Sequence, residues 1–283
     1  MNFVGSIEKR VLKTIKRFQL ASDEDKILCA VSGGKDSTNV LYIMDKFFPN
    51  VEALTIDARI GNYSKENLEN IKLFCSKLGI RLHIVSFADE FGCSLCYIQS
   101  VLKEKGLDLN SCAICGVLKR YLLNKKARNL KSDFLATGHN LDDEAQSILM
   151  NLLRGNLEML SKLGPKSTSS VSKFVPRIKP LYLVKESESE MFCRSMGFPV
   201  QYQRCPCSVD SYRGSVRNLL ASYQKTNPAA SWNVVQKFLK IRKSLQANFS
   251  TQNLGYCRDC GEPSKNISCR TCTIIKTIKS KSL

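Results

Sequence analysis

The chain has 283 residues, 43 Lys and Arg against 25 Asp and Glu for a formal net charge of +18, and 13 cysteines. That length accommodates one main domain plus something smaller, and the positive field points to a polyanionic partner. No run approaches eighteen apolar residues and the N-terminus is amphipathic, so neither a membrane partner nor export is expected; a reducing compartment then keeps the thiols free for metal.

Val4, Ile7, Val11, Leu12, Ile15 and Phe18 recur at helical spacing, which predicts an amphipathic helix over 4–18. The apolar run Ile27 to Val31 then meets Ser32-Gly33-Gly34-Lys35-Asp36-Ser37, and a helical pattern with Val40, Leu41 and Met44 on one side follows. Adjacent glycines let the backbone turn its N–H groups toward one point, and the helix start adds partial positive charge, so the loop is an anion cradle. Its spacing is not that of the Walker loop. Apolar runs at 51–56, 81–86 and 133–137 alternate with helical patterns at 64–78 and 113–130, which predicts an α/β fold with a parallel sheet covered on both faces. Ligands of such sheets bind beyond the C-terminal strand ends, where the loop, Asp57 and Gly138-His139 fall. The stretch 161–173 is the most loop-like; strands cease after about residue 185, and helical patterns at 214–224 and 231–247 precede a cysteine-bearing tail.

Cys29, Cys75 and Cys193 sit in apolar or helical surroundings and read as small core residues. In the tail, Cys257, Cys260, Cys269 and Cys272 have C-x2-C-x8-C-x2-C spacing, which suits tetrahedral zinc in a segment too short to fold without a staple. Arg258, Lys265, Arg270, Lys276, Lys279 and Lys281 around it are available to nucleic acid. Cys93, Cys96, Cys112 and Cys115 have C-x2-C-x15-C-x2-C spacing, and spacing alone favours a second zinc ribbon. The competing reading joins Cys112 and Cys115 to Cys205 or Cys207, three thiolates around an iron-sulfur cluster with one iron left open. Composition does not choose between them.

Taken in order, SGGKDS, TIDARIGNY, SCAICGVLKR, ATGHNLDDEAQSILMNLLRGN, PRIKPL, CPCSVDSYRGSVRNLL and a four-cysteine tail with GEP after its second cysteine resemble one family. It is that of the tRNA 2-thiouridine synthetases, the TtuA and cytosolic wobble-uridine thiolation group, over roughly residues 5 to 275. The resemblance implies a PP-loop ATP pyrophosphatase domain of adenine nucleotide alpha-hydrolase type, with a helical extension and a C-terminal zinc knuckle. It divides the chain into an N-terminal helix (1–24), the PP-loop domain (25–200), a helical region contacting tRNA (201–252), and the knuckle with its basic tail (253–283). Ser32, Gly33, Gly34, Lys35, Asp36 and Ser37 are then expected to bind ATP phosphates and Mg2+, with Asp57, Gly138, His139 and Asp142 at the nucleotide crevice. Cys112, Cys115 and Cys205 match the cluster ligands of a 4Fe-4S group, and Arg213 and Arg217 match basic residues near the tRNA site. Cys93, Cys96 and Cys207 are additional to the family's pattern. Ala58 and Arg59 stand where the family often has an acidic residue and glycine, and the chain opens on its helix where the family usually opens on a further zinc cluster.

The implied reaction explains the parts. The C2 oxygen of uracil is a poor leaving group, so transfer of AMP from ATP must activate it before sulfide displaces it. A cluster delivers the sulfide, or a cysteine persulfide does, activated near Lys119, Arg120 or Arg213. The expected partners are tRNA and a sulfur donor, either a ubiquitin-like carrier protein or free sulfide, in the cytoplasm; a homodimer stays open. Two other classes are kept: a PP-loop ligase forming lysidine or an amide, which has no need of the C-x-x-C cysteines, and a noncatalytic RNA-binding zinc protein, which leaves SGGKDS and LDDE unexplained.

Overall fold

A computed structural model of the chain describes residues 2–107, 109–167, 171–208, 212–249 and 255–280. Five strands, β1 (Ile27–Ala30), β2 (Val51–Asp57), β3 (Leu82–Ser86), β4 (Phe134–Thr137) and β5 (Arg177–Ile178), form one parallel sheet in the order β3-β2-β1-β4-β5. The chain winds from β1 outward through β2 to β3, then returns to the other side of β1 for β4. That reversal leaves a crevice beyond the C-terminal ends of β1 and β4.

Side chains alternate across the sheet and feed two cores. Ile27, Cys29, Ala53, Ala136 and Ile178 face α1 (Phe3–Phe18), α2 (Lys35–Phe47), α3 (Gly61–Leu78) and α9 (Glu186–Ser195), through Val11, Met44, Phe74 and Phe192. Leu28, Leu54, Ile56 and Leu135 face the opposite layer: α4 (Phe87–Phe91), α5 (Leu95–Glu104), α6 (Ser111–Asn129) and α12 (Arg270–Lys279). A third core joins α7 (Leu141–Leu153) and α8 (Leu157–Ser161) to α10 (Tyr212–Gln224) and α11 (Ala230–Asn248), around Leu141, Ile148, Leu220 and Phe238. A short 3-10 turn, Pro206–Ser208, precedes α10, and a small hairpin, β6 (Gly255–Tyr256) with β7 (Pro263–Ser264), carries the tail cysteines.

The helices and strands expected from periodicity are present with shifted ends. Others escaped it: the helices α4, α5, α7, α8, α9 and α12, the strand β5 and the β6–β7 hairpin. β5 is only two residues long, set by pairing Arg177 and Ile178 with Leu135 and Ala136, and so has no period to read. The tail, expected to have no strands, holds the β6–β7 hairpin. Within the loop-like stretch 161–173, Ser161 closes α8 and Lys166 bridges Ile178; residues 168–170 lie outside the described residues, as do 209–211 of the CPCSVDSYRG segment and Lys281. Cys29, Cys75 and Cys193 are buried free thiols, as expected of core residues. Among the described residues no helix is long and apolar enough to cross a membrane.

Candidate active site and metal centres

The loop after β1 is held in shape by its own hydroxyls. Ser37 Oγ accepts from Ser32 N at 3.1 Å and donates to Gly34 O at 3.0 Å, and Thr38 Oγ1 reaches the same carbonyl at 3.2 Å. Gly33 adopts φ +83°, and a Cβ there would lie 2.4 Å from Asn67 Oδ1. At the end of β4, a Cβ on Gly138 would come within 2.7 Å of Ser37 N, so only glycine lets this strand end close against the loop. No side chain caps α2, whose N-cap is Gly34, and its first N–H groups are left for a ligand.

Acidic and basic groups meet at this end of the sheet. Lys35 Nζ lies 3.0 Å from Asp36 Oδ2 and 3.2 Å from Glu186 Oε1, and these two carboxylates, working against burial, hold its pKa above the usual lysine value. Asp36 Oδ1 is buried with no hydrogen-bond partner among the described residues. Asp143 is pushed up to about 6 by burial, with Asp36 and Glu186 adding to the shift and Arg213, 3.4 Å away, opposing it. A buried orphan oxygen beside a second under-neutralised carboxylate fits a divalent cation. His139 is kept neutral, near 3, by burial and by Lys179, Arg213, Arg177 and Arg120 around it; its Nδ1 lies 2.9 Å from Thr137 Oγ1. Asp142 turns elsewhere: it accepts from Glu186 N at 2.8 Å, Ser231 Oγ at 2.6 Å and Gln224 Nε2 at 3.2 Å, tying α7 to α9, α10 and α11. Asp143, which motif reading passed over, is the member of LDDE beside Asp36. Arg213 donates to Ser147 Oγ at 3.0 Å, and Arg217 keeps a buried Nε without a partner.

Next to the loop lies a cavity of about 290 Å³. Ser32 and Asp57 line it, together with Cys112, Cys115, Cys205 and Cys207 and the apolar side chains of Ile56, Ile60 and Leu95. Cys112 and Cys115 are one helical turn apart at the start of α6, where Asn110 caps Cys112 N at 2.8 Å, so both face one side. The 3-10 turn brings Cys205 and Cys207 opposite, with Cys112 Sγ 3.5 Å from Cys207 O. Burial and the neighbouring Cys205 push the Cys112 thiol up; burial, Cys205 and Cys112 do so for Cys115 against Lys119. Thiols from two segments around one space, with burial holding Cys112 and Cys115 in the protonated form, suit a metal cluster that takes the thiolates.

The zinc ribbon favoured by spacing alone is not assembled. Cys93, before α5, lines a separate groove with Tyr97, Ile278 and Lys279, away from the cavity that Cys112 and Cys115 face. The cause is local: Cys112 and Cys115 belong to a helix, and α12 covers the side on which Cys93 lies.

Among the described residues, the only set of three or more ligand side chains placed for one ion is Cys257, Cys260, Cys269 and Cys272, all within 4.8 Å of one another. Cys260 and Cys269 sulfurs are 3.7 Å apart, close to the roughly 3.8 Å that tetrahedral zinc with ~2.3 Å Zn–S bonds requires. Cys257, despite burial, is pulled down to about 6 by backbone N–H groups, including that of Cys269 at 3.1 Å. Glu262, of the GEP segment, anchors the knuckle to α6 through a bidentate ion pair with Arg128 and a contact from Asn124 at 3.3 Å.

A PP-loop wound on a parallel sheet, with thiols facing its crevice, defines an ATP-using class, and the PP-loop domain family model matches residues 6–200. The chain belongs to this family and, within it, to the tRNA 2-thiolation proteins. It is 33% identical over 271 residues to the tRNA-5-methyluridine(54) 2-sulfurtransferase of Pyrococcus horikoshii, covering 96% of this chain and 85% of that one. It is 31% identical to the tRNA 2-thiolation protein NcsA of Haloferax volcanii, over 99% of this chain and 92% of the relative. The solved U34-tRNA thiolase NcsA from Methanococcus maripaludis, described with its 4Fe-4S cluster, superposes with a TM-score of 0.78 at 29% identity, over 98% of this chain and 88% of that chain.

Proposed function

We propose that the chain activates the C2 oxygen of a tRNA uridine with ATP and replaces that oxygen by sulfur, within the crevice described above. As a family member it is a tRNA 2-sulfurtransferase. The observation that carries the residue-level reading is that Ser32 and Asp57, on the nucleotide side, line the same cavity as Cys112, Cys115 and Cys205. Adenylation and sulfur delivery then need no diffusion between sites.

The α2 N-terminus, the loop N–H groups and Lys35 hold the pyrophosphate end of ATP, and Asp57 with the apolar wall of Ile56 and Ile60 flanks the nucleoside. The uridine C2 oxygen bonds to the α-phosphorus as the bond to pyrophosphate breaks. Sulfide then bonds to C2, and AMP leaves with the former C2 oxygen. Asp36 and Asp143 are the side chains that hold magnesium, which when bound offsets charge on the departing pyrophosphate. Asp142 acts at one remove, fixing α7 so that Asp143 meets Asp36. Cys112, Cys115 and Cys205 hold the cluster, which when bound supplies an iron open to sulfide. His139, uncharged at neutral pH, sits at the nucleotide crevice as a neutral hydrogen-bonding group. Arg213 and Arg217 serve the tRNA, and Cys257, Cys260, Cys269 and Cys272 hold zinc. The sulfur comes from a ubiquitin-like carrier protein or free sulfide.

Anaerobically purified protein with tRNA, ATP and sulfide is expected to absorb broadly in the visible and to yield AMP, pyrophosphate and a 2-thiouridine seen by mass spectrometry. Asp36→Ala is expected to lower AMP formation about 10²- to 10³-fold with the fold intact. ADP and phosphate as principal products would sink the reading. A colourless protein that forms AMP without sulfur incorporation would favour a PP-loop ligase.

A further inference from the structure

A second concavity, of about 310 Å³, opens between α6, β5 and the zinc knuckle. Arg120 contributes from α6, Arg177 from β5 and Arg270 from the start of α12, with Tyr121 and Phe174 beside them. None of the three guanidinium groups has a hydrogen-bond or ion-pair partner among the described residues, although ion pairs are common elsewhere in the molecule. Among the described residues the only carboxylate lining the concavity, Glu262, is already engaged by Arg128 and Asn124. Three guanidinium groups without a carboxylate partner, held on three separate elements, repel one another, and an anion relieves that repulsion.

Arg120 also places the concavity next to the thiol cavity. Gly116 lines that cavity, and a Cβ on it would lie 3.0 Å from Arg120 Nη1, so Arg120 folds back along α6 over the glycine next to Cys115. The ligand therefore has its negative charge outside the reacting cavity and some other part within reach of it. A polynucleotide has this form: phosphates run past while one base enters, and Tyr121 and Phe174 offer flat surfaces to a neighbouring base.

We infer that Arg120, Arg177 and Arg270 form a cradle for the tRNA phosphodiesters flanking the nucleotide that enters the thiol cavity, so that the zinc knuckle serves binding by presenting Arg270. This rests on the thiolation reading for the identity of that nucleotide. It differs from the expectation that α10 and the basic tail hold tRNA by general attraction, because it names three residues and particular phosphates.

The test compares wild type with an Arg120→Gln, Arg177→Gln, Arg270→Gln triple variant, accepted for use once zinc content and tRNA-independent ATP binding match wild type. Phosphate-ethylation interference is mapped on bound tRNA for both proteins, and tRNA affinity is measured across salt. The triple variant is expected to bind about 10-fold or more weakly, with a log-log salt slope smaller by about two to three. Ethylation immediately 5′ and 3′ of one uridine is expected to block wild type and to have lost its effect in the variant; mass spectrometry should find sulfur on that uridine. Identical interference maps for the two proteins overturn the inference, as do arginine-dependent phosphates remote from the thiolated uridine. An unchanged tRNA map with loss of inorganic pyrophosphate binding also overturns it, since the cradle would then take a product anion. Single-arginine variants decide the matter if the triple variant loses zinc. Sulfur incorporation by wild type is scored separately: its absence overturns the thiolation reading, while the interference maps still show whether these arginines grip tRNA phosphates.

Discussion

Two sets of cysteines with the same C-x-x-C signature behave differently in this molecule. In the knuckle, Cys257, Cys260, Cys269 and Cys272 converge within 4.8 Å, already spaced for one ion and wired by backbone N–H groups to sulfur. In the crevice, Cys112 and Cys115 stand on a helix and face Cys205 and Cys207 across a cavity shared with the nucleotide loop. The first set converges on one point and the second leaves room. Both sets use a helix start, Cys269 and Cys272 at α12 and Cys112 and Cys115 at α6; the difference is that the β6–β7 hairpin brings Cys257 and Cys260 directly against the first, whereas a cavity separates the second from Cys205 and Cys207.

The sharpest way to break this comparison is to remove one thiol from each set. Cys205→Ala is expected to lose the visible absorbance and thiolation while keeping its zinc; Cys260→Ala is expected to lose zinc and keep the chromophore until the knuckle's disorder spreads to α6. Metal analysis and spectra of both variants check this. A Cys205→Ala protein with a full cluster that vanishes in Cys93→Ala would restore the ribbon ligand set.

The crevice depends on close backbone contact, and Gly138→Ala probes it. The new methyl group meets Ser37 N at 2.7 Å, and its three nearest atoms are all backbone, so about 1–3 kcal/mol of stability is expected to go along with ATP affinity. Denaturant midpoints and ATP titration measure the two losses; a variant retaining wild-type ATP affinity would show that the loop tolerates a wider crevice. The same substitution should leave zinc content unchanged.

For the knuckle, Glu262→Gln weakens its attachment to α6 by replacing the carboxylate that pairs with Arg128. A loss of about 1–3 kcal/mol is expected, smaller than for a fully buried pair because Arg128 is partly exposed. Zinc should stay bound, and hydrogen exchange over α12 should rise. Unchanged exchange there would mean that Ile274 and Ile278, buried against the α5 and α6 layer, suffice alone.

The smallest effect is a pH dependence confined to the crevice. The folded pKa of Asp143, about 6, lies above its ordinary value of 3.8. The folded state then binds the proton more tightly, so this group's contribution is fully present below about pH 3.8 and is lost as pH rises through 6. Without metal, Asp143→Asn is expected to be more stable than wild type at pH 8, by about 1–2 kcal/mol, with the gap narrowing at pH 5. Magnesium-dependent ATP binding should fall in the variant at either pH. Thermal melts with and without magnesium test both, and a variant that still responds to magnesium like wild type would move the cation away from Asp143.

Much of this was legible in the chain itself. Short apolar runs and helical spacing placed four of the sheet's five strands and the helices α1, α2, α3, α6, α10 and α11, because an apolar face must be buried and the pattern says which element buries it. SGGKDS announced an anion cradle, and the eight-residue spacer between the tail's C-x-x-C pairs announced four converging thiols, since both devices are local and need only their own backbone. What spacing could not supply was which thiols meet. Cys115 and Cys205 are ninety residues apart, and only the return of the chain beneath α6 puts them around one cavity. The same holds for Asp142 and Asp143, adjacent in sequence yet turned by the helix toward a structural knot and toward the loop, and for Arg120, Arg177 and Arg270, which belong to three elements and share no motif. Sequence fixes chemistry wherever the contacts are local; the meeting of distant side chains is decided by how the layers pack.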